Sequence, residues 1–478
     1  MNQKTKIPIA LAQGDGIGPE ITRAVLTILE ATKAPLEFHP VEIGEKVYLK
    51  GVSTGIEPET WKTIRECKAF LKAPITTPQG GGFKSLNVTI RTTLGLFANV
   101  RPCVAYSPFV ETKHPGMDVV IIRENEEDLY TGIEYRQTND TFHALKIISR
   151  PGCERIVRYA FEYAKANGRK KVTCFTKDNI MKLSDGLFHK VFDEIAIEYP
   201  HIENEHWIVD IGAAKLADTP TAFDVVVMPN LYGDILSDVA AQIAGSVGLA
   251  GSSNIGSQGA MFEAIHGSAP RRAGQNLANP SGFLLAAVLM LAHVGLPEEA
   301  ALVHNAWLKT IEDGIHTYDI YHEGVSKKKV GTQEFAQAVV ERLGQKPSIL
   351  QAAHYGMIKH NLPHSETLIP THQKKKLVGI DLFIASTASV AALQKELAAA
   401  SHPKFELTMI SNRGVRVWPE LAPETLCIDS FRVRYMAGES HQVTHTEIAE
   451  LLKGLADKKI DFVKTEQLYT FDDKPGFS

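Results

Sequence analysis

IPIALAQGDGIGPEITRAVLTILEA, residues 7–31, joins an apolar run to an amphipathic run through a glycine-rich turn. Residues Ile7 to Leu11 predict a β-strand, and the apolar spacing from about Ile21 to Ala31 predicts an α-helix. Further β-like runs alternate with helical patterns: VVII at 119–122, VTCF at 172–175 and DVVVMP at 224–229, with a helical pattern at 153–168. Strands that alternate with helices predict an α/β fold with a parallel or mixed sheet.

Length and charge narrow the class of protein. A chain of 478 residues exceeds one ordinary core and predicts two or three domains. The 51 Lys and Arg residues against 55 Asp and Glu residues argue against nucleic-acid binding. The sequence has neither a run of 18 apolar residues nor a signal-peptide pattern, so we expect no membrane span. Five cysteines without a CxxC pair indicate reduced thiols, as in a cytoplasmic protein.

The alternation of strand and helix patterns is interrupted after residue 345. Residues 346–376 are rich in Pro, His and Lys and have weak periodicity, which predicts a linker. From residue 377 to 478 the order is β-α-β-β-α-β, with FELTMISNRGVRVWP at 405–419 interpreted as one strand. This is the order of a ferredoxin-like α+β domain. Because it contains no phosphate loop, metal triad or nucleophile pattern, we expect a role in assembly or regulation.

Two carboxylates stand four residues apart in NLYGDILSD, residues 230–238. In a helix, Asp234 and Asp238 would share one face, where their repulsion favours a bound cation. A helix-capping Asp234 with a solvated Asp238 explains the same pattern. Asp210 follows an apolar run and is a third candidate ligand or an ordinary strand-end acid. All-oxygen ligation suits Mg²⁺ or Mn²⁺.

Several other polar residues allow both a functional and a structural interpretation. Ser85 and Asn87 in KSLNVTIR, residues 84–91, suit a helix N-terminus or a carboxylate site. Arg271 and Arg272 in HGSAPRRAGQNLANP, residues 266–280, suit a phosphate or a solvated turn. The remaining candidates are surface residues unless one site collects them: Arg91, Arg101, Arg123, Tyr130 and Lys177.

Five motifs occur in order between residues 7 and 345: GDGIGPE, ENEEDLYTG, TKDNIMK, NLYGDILSD and HGSAPRRAG. Together they resemble the metal-dependent β-decarboxylating dehydrogenases, the family of isocitrate, isopropylmalate, homoisocitrate and tartrate dehydrogenases. The resemblance implies this family's non-Rossmann α/β fold. A discontinuous large cofactor-binding domain, residues 1–97 and 245–345, would surround a small substrate and dimerisation domain, residues 98–244. The C-terminal part is similar to the extension of a longer isocitrate dehydrogenase subgroup.

The resemblance also implies a substrate, because KSLNVTIR is similar to the isocitrate-specific version of this segment. We expect oxidative decarboxylation of isocitrate to 2-oxoglutarate and CO₂ in the tricarboxylic acid cycle, with Ser85 and Asn87 on the γ-carboxylate. The other implied roles are carboxylate binding by Arg91, Arg101 and Arg123, metal ligation by Asp210, Asp234 and Asp238, base catalysis by Lys177 and proton donation by Tyr130. Lys177 and Asp210 would come from the neighbouring subunit, which would make the homodimer obligatory for activity.

The cofactor implied is NADP. NAD-linked relatives tend to carry an Asp after the HGSAP stretch, whereas Arg271 and Arg272 would attract a 2′-phosphate. Tyr318 matches a tyrosine that helps hold this phosphate, while His322 stands where some NADP-linked members have Arg. The other implied cofactor-binding residues are Lys72, Thr77, Asn179, Glu263, His266, Gly267, Ser268, Ala269, Pro270 and Asn279.

Two alternatives remain from the sequence. One is an NAD-dependent isocitrate, homoisocitrate or isopropylmalate dehydrogenase, against which Ser85 and Asn87 argue. The other is a non-catalytic regulatory subunit that has kept the fold. Such subunits usually lose catalytic groups, and here every one is present.

Overall fold

The glycine-rich turn joins strand β1, Ile7–Ala12, to helix α1, Gly18–Ala31, as predicted. The helix begins three residues earlier than expected from the apolar spacing. Pro19 lies in its first turn, where the missing N–H has no intrahelical partner to lose and the fixed φ suits a helix.

This turn packs tightly against two other loops. Gly14 and Gly16 have φ values of +66° and +59°, a region that favours glycine. A Cβ on either residue would lie 2.1 Å from a carbonyl oxygen, that of Pro74 for Gly14 and that of Ser268 for Gly16. The glycine-rich turn therefore holds the HGSAP loop close to the carboxyl end of β1.

The structure is a computed structural model that describes residues 5–76, 85–356, 373–400, 402–420, 422–438, 441 and 443–478. Its chain divides into two units, Met1–Thr131 with Lys146–Thr367, and Gly132–Leu145 with Leu368–Ser478. The strands after β1 are β2 Leu36–Pro40, β3 Ala69–Lys72, β4 Ala98–Val104, β5 Asp118–Glu124, β6 Glu134–Arg136, β7 Phe142–Ala144, β8 Lys171–Thr176, β9 Glu203–Ile208, β10 Val225–Met228, β11 Gly251–Ile255, β12 Ala260–Ala264, β13 Ile315–His316, β14 Lys328–Lys329, β15 Lys375–Ala385, β16 Phe405–Asn412, β17 Val415–Trp418, β18 Ser430–Ala437, β19 Phe462–Phe471 and β20 Lys474–Pro475.

The α-helices after α1 are α2 Glu45–Leu49, α3 Pro58–Glu66, α4 Leu86–Thr93, α5 Arg150–Ala166, α6 Ser184–Ala196, α7 Val209–Asp218, α8 Asn230–Ala244, α9 Ser281–His293, α10 Pro297–Glu312, α11 Thr332–Val340, α12 Val390–Ala399 and α13 His445–Asp457. The predicted β-like runs at 119–122 and 172–175 fall in β5 and β8, the run at 224–229 contains β10, and the helical pattern at 153–168 overlaps α5.

A ten-stranded mixed sheet carries the first unit, in the order β2-β1-β3-β12-β11-β4-β5-β10-β8-β9. Strands β5, β10, β8 and β9 pair in parallel, so their carboxyl ends meet at one edge of the sheet. This edge carries Arg123 and the segments that lead into Lys177, Asp210 and α8. Ligands usually bind at such an edge in open α/β sheets. The α/β prediction is confirmed.

The second unit contains a six-stranded sheet in the order β17-β16-β18-β15-β19-β20. Its inner four strands and the helices α12 and α13 have the ferredoxin-like arrangement that the sequence predicts. The single strand predicted at 405–419 is wrong, because Arg413 and Gly414, with φ values of 49° and 80°, turn the chain between β16 and β17. Two residues with positive φ form the preferred tight turn of a β-hairpin.

The hairpin β6–β7 groups with this second unit, although it lies far away in the sequence. The Thr141 hydroxyl donates to the Asp429 carboxylate at 3.1 Å. The His143 ring lies edge-on to that of Phe383, with centroids 5.1 Å apart. The sequence boundaries predicted above did not set this hairpin apart. The division of the first unit into large and small domains stays a prediction.

Part of the predicted linker is fixed to the first unit. The Glu312 carboxylate at the end of α10 accepts hydrogen bonds from the main-chain N–H groups of Ser348, Ile349 and Leu350, at 2.9, 2.8 and 3.1 Å. The Tyr355 hydroxyl lies 2.8 Å from Nδ1 of His304. Residues 357–372 lie outside the described part of the chain. Within that part, every helix is too short or too polar to cross a bilayer.

Candidate active site

Two buried arginines and a tyrosine converge on one carboxylate at the start of α8. The Arg123 guanidinium and the Tyr130 hydroxyl both donate to Asp234, each to a different carboxylate oxygen. Arg101 Nη2 lies 3.3 Å from the same Asp234 oxygen that Arg123 binds, and Arg101 Nη1 lies 3.6 Å from Asp238. The structure thus brings together five of the residues singled out in the sequence.

Charge and burial fix the protonation of this cluster. Burial raises the pKa of Asp234, but the charges of Arg123 and Arg101 outweigh it, so this pKa lies below the ordinary value. Burial, helped by the charge of Asp234, raises the pKa of Asp238 despite Arg101. Burial and the hydrogen bond to Asp234 raise the pKa of Tyr130. An ionised Asp234 therefore faces a protonated Tyr130.

A buried ion-pair network lies next to this cluster. Glu263 Oε1 accepts from Arg91 Nη2 at 3.0 Å, and Glu263 Oε2 lies 2.7 Å from Lys72 Nζ. Burial raises the pKa of Glu263, but the charges of Lys72 and Arg91 hold it well below the ordinary range. Glu263 thereby joins a predicted substrate residue to a predicted cofactor residue.

A cleft of about 380 Å³ collects these groups, with Lys72, Asn87, Arg91, Arg101, Glu263, His266 and Gly267 in its wall. Asn87 Oδ1 and Arg91 Nε are buried and have no hydrogen-bond partner among the described residues. Such groups are costly unless a ligand pairs with them. Ser85 takes the N-cap position of α4, but its side chain makes no capping hydrogen bond, contrary to the structural interpretation of this segment.

The HGSAP loop borders a second, larger cavity of about 930 Å³, lined in part by His266, Gly267, Ala269, Arg272, Asn279 and Tyr318. The Arg272 guanidinium lies over the Tyr318 ring, 4.8 Å from its centroid. His266 Nε2 is buried and unpaired within the described part of the chain, and burial lowers the pKa of this histidine. The cavity thus offers aromatic, cationic and unpaired polar groups to a nucleotide.

Other predicted cofactor residues that the structure describes do not line this cavity. The Ser268 hydroxyl lies 2.7 Å from that of Thr76, which fixes the loop against the segment after β3. Pro270 and Arg271 are exposed and do not line the cavity. Asn179 is exposed in the turn after β8, away from this loop in sequence and in the sheet order. Thr77 lies outside the described residues.

Lys177 and Asp210 form a separate pair. Lys177 Nζ lies 2.7 Å from Asp210 Oδ1, and the hydrogen bond from Lys177 lowers the pKa of this carboxyl. Neither residue contacts the Asp234 cluster of the same chain in any described interaction. The three predicted metal carboxylates therefore do not converge within one chain.

The sequence analysis missed a buried network that contacts both the turn at Lys177 and the start of α8. Lys146 Nζ lies 2.7 Å from Asp185 and 3.4 Å from Asp128, two fully buried carboxylates. Asp185 also accepts from the main-chain N–H of Lys177 at 2.7 Å, and Asp128 accepts from that of Leu231 at 2.9 Å. The network thus fixes both the Lys177 turn and the first turn of α8. Asp128 lies in the ENEEDLYTG motif, but its partners give no local signal.

Replacement of Lys146 by Met should destabilise the protein. Two buried carboxylates would then lack their cation, and breaking such a pair costs about 3–5 kcal/mol. Denaturant unfolding would measure the loss of free energy. Lys190→Met is the matched control, because Lys190 lies on the surface at 3.9 Å from Glu194 and its loss should change stability by less than about 0.5 kcal/mol. Equal stability of both variants would contradict the positioning role.

Comparison with known proteins identifies the family of this chain. A family model described as isocitrate/isopropylmalate dehydrogenase matches residues 8–339, and one described as the C-terminal domain of bacterial isocitrate dehydrogenase matches residues 375–478. An isocitrate dehydrogenase [NADP] of Rickettsia bellii is 55% identical over 473 residues, which cover 98% of each chain.

Solved structures give the same result. The crystal structure of the TT0538 protein from Thermus thermophilus matches with a TM-score of 0.93 and 41% identity, and covers 98% of this chain and 95% of that one. Isocitrate dehydrogenase from Methylococcus capsulatus matches with a TM-score of 0.67 and 40% identity, over 71% of this chain and all of that one. The resemblance found in the motifs is confirmed, and the chain belongs to the isocitrate/isopropylmalate dehydrogenase family.

Proposed function

We propose that this protein oxidises and decarboxylates isocitrate to 2-oxoglutarate and CO₂, with NADP as hydride acceptor, in the tricarboxylic acid cycle. The observation that carries the proposal is the convergence of Arg91, Arg101 and Arg123 beside Asp234, next to the cleft that also holds Lys72 and Glu263. Guanidinium groups bind carboxylates in bidentate fashion, so three of them suit a tricarboxylate. Full-length relatives named isocitrate dehydrogenase [NADP] support it.

The unpaired groups of the cleft give the substrate specificity. Asn87 Oδ1 and Arg91 Nε lack partners among the described residues, and Ser85 lies two residues before Asn87, at the N-cap of α4. We assign Ser85 and Asn87 to the γ-carboxylate of isocitrate. An isopropyl group there would leave these polar groups unpaired, which disfavours isopropylmalate.

Asp234 and Asp238 supply carboxylate oxygens on one face of α8, and Asp210 of a second subunit is the proposed third ligand. An all-oxygen donor set fits Mg²⁺ or Mn²⁺. Desolvation and the charge of Asp234 raise the pKa of Asp238, and a bound cation would relieve the repulsion between the two carboxylates. When bound, such a cation lowers the pKa of a coordinated hydroxyl and stabilises developing negative charge.

Tyr130 and Lys177 are the proposed acid and base of the reaction. The Tyr130 hydroxyl donates a hydrogen bond to Asp234, so it lies beside a proposed ligand of the cation that binds the substrate. We assign it as the proton donor to the carbon from which CO₂ leaves, and Lys177 of the second subunit as the base for the substrate hydroxyl. A positioned acid or base contributes about 10²- to 10⁴-fold in rate.

Replacement of Tyr130 by Phe should impair protonation of the product more than oxidation of the substrate. We expect the decarboxylation half-reaction, assayed from the β-keto acid, to fall about 10²-fold or more, with a smaller loss in oxidation. Tyr135→Phe is the control, because Tyr135 is exposed and should affect neither step. Equal losses in both half-reactions of Tyr130→Phe would count against its role as the proton donor.

A homodimer with shared active sites is the proposed assembly. Apolar side chains are exposed beside the groups that would cross to the partner: Ile180 at 69% and Ile211 at 47%, near Lys177 and Asp210. Ile235 and Val239 are exposed on α8, next to Asp234 and Asp238. Apolar patches of this kind mark protein interfaces. The five free cysteines fit a reducing compartment such as the cytoplasm.

Steady-state reduction of NADP⁺ and NAD⁺ with isocitrate and Mn²⁺ tests the proposed function. Isopropylmalate and homoisocitrate serve as substrate controls, and EDTA serves as the blank. We expect metal-dependent turnover of isocitrate with a strong preference for NADP⁺. Turnover of isopropylmalate in preference to isocitrate would contradict the substrate assignment, and no turnover of any substrate would favour a regulatory subunit.

A further inference from the structure

A cluster of two histidines and a carboxylate lies outside the residues assigned above. Asp178 follows Lys177 in the turn after β8, His189 lies on α6 and His206 lies on β9, which pairs with β8. One ligand atom from each residue lies within 4.8 Å of the other two. Among the described residues, this is the only group of three potential metal ligands so close together.

We propose that Asp178, His189 and His206 form a second divalent-cation site, which takes Zn²⁺ or a similar nitrogen-binding ion. Two imidazoles favour Zn²⁺, Co²⁺ or Ni²⁺ over Mg²⁺, which prefers oxygen ligands. Three protein ligands with one position left to water is a common zinc arrangement. The site goes beyond the proposed function and does not depend on it.

The present geometry is close to that of a metal site. His189 Nδ1 lies 2.7 Å from Asp178, and the two imidazole rings stack with centroids 3.5 Å apart. Ligand atoms on one tetrahedral zinc ion, with bonds of about 2.1 Å, lie about 3.4 Å apart. A rotation of the stacked rings would therefore direct both nitrogens at one ion. It would also break the 2.8 Å hydrogen bond between His206 Nε2 and the Thr176 hydroxyl.

A second carboxylate supports the same assignment. Asp193 Oδ2 lies 3.6 Å from Nε2 of His189, on the ring edge opposite Nδ1. Metal-bound histidines usually donate their other N–H to such a carboxylate, which fixes the tautomer and the ring.

An ion bound at this site would affect the neighbouring turn that carries Lys177. Asp178 lies between Lys177 and Asn179 in one short turn. An ion held by Asp178 would restrain the backbone that carries Lys177, and would do so without contact to the carboxylates of α8. A nitrogen-binding cation would therefore act on this turn from a site separate from the Mg²⁺ ligands.

Cobalt titration of the full-length protein tests this site. The protein is stripped with EDTA and dialysed into excess Mg²⁺, which occupies the all-oxygen site, and Co²⁺ uptake and visible absorption are then measured. We expect one further Co²⁺ per chain, with the strong d–d absorption of a low-coordinate ion, and Zn²⁺ should displace it. His189→Asn and His206→Gln should each abolish the absorption.

His201→Gln is the matched control, since His201 is exposed just before β9 and should leave the absorption unchanged. Thermal unfolding of the metal-free variants separates loss of the site from loss of the fold, and His189→Asn, on the partly exposed α6, remains informative if His206→Gln unfolds. Equal Co²⁺ uptake and spectra in wild type and both histidine variants would overturn the proposal. So would a wild type without the absorption, even if it oxidises isocitrate.

Discussion

A mixture of two inactive variants, Asp238→Asn and Lys177→Met, should recover about a quarter of wild-type isocitrate oxidation. Each variant alone should lose about 10²- to 10⁴-fold, because one lacks a metal ligand and the other lacks the base. If Lys177 serves the partner's Asp238, each hybrid dimer has one intact site and one doubly altered site. Half of the dimers in an equal mixture are hybrids, and half of their sites are intact.

The contact between Lys177 and Asp210 provides a matched control. These side chains lie 2.7 Å apart in one chain, so both would serve the same site. A mixture of Lys177→Met and Asp210→Asn should therefore stay inactive, since every site would contain one altered residue. Subunit exchange is checked by native mass spectrometry of the mixtures. Recovery in both mixtures, or in neither despite exchange, would contradict a site divided in this way.

Local sequence signals were sufficient for elements whose pattern is continuous. The β1 turn and α1 follow from an apolar run, two glycines and a periodic helix, and the placement of Asp234 and Asp238 on one face of α8 follows from their spacing. Arg123 was a candidate because it ends an apolar run, whereas Arg91 and Arg101 took their roles from the family resemblance. Their meeting at Asp234 depends on the strand order, which brings β5 beside β10 and which no local pattern specifies.

The residues that were missed depend on contacts between distant segments. Lys146 pairs with Asp128 and Asp185, and the three come from a loop, a second loop and a helix. None of them has a pattern that distinguishes it from a surface charge. The hairpin at 405–419 was missed although Ser411 to Gly414 interrupt its apolar residues, because the β-like residues on both sides of this turn were interpreted as one strand. Long-range pairing and burial therefore limit what one sequence can predict.

Replacement of Arg271 by Asp and Arg272 by Ile should raise the KM for NADP about 10²-fold or more. Arg272 lies over Tyr318 at the wall of the larger cavity, where a guanidinium can bind the 2′-phosphate by charge-assisted hydrogen bonds. An aspartate at 271 would add repulsion of that phosphate. The KM for NAD, which lacks the phosphate, should change much less.

The structure indicates that Arg271 and Arg272 contribute unequally to the binding of NADP. Arg272 lines the cavity and Arg271 does not, so Arg272→Ile alone should account for most of the attraction that is lost. Steady-state kinetics of the single and double variants with both cofactors measures the two contributions. Arg23→Asp, a charge change on the exposed side of α1, controls for the general loss of positive charge. A double variant that keeps its NADP preference would show that neither arginine selects the cofactor. An equal rise in the KM for NADP in Arg23→Asp would assign the effect to net charge rather than to a phosphate contact.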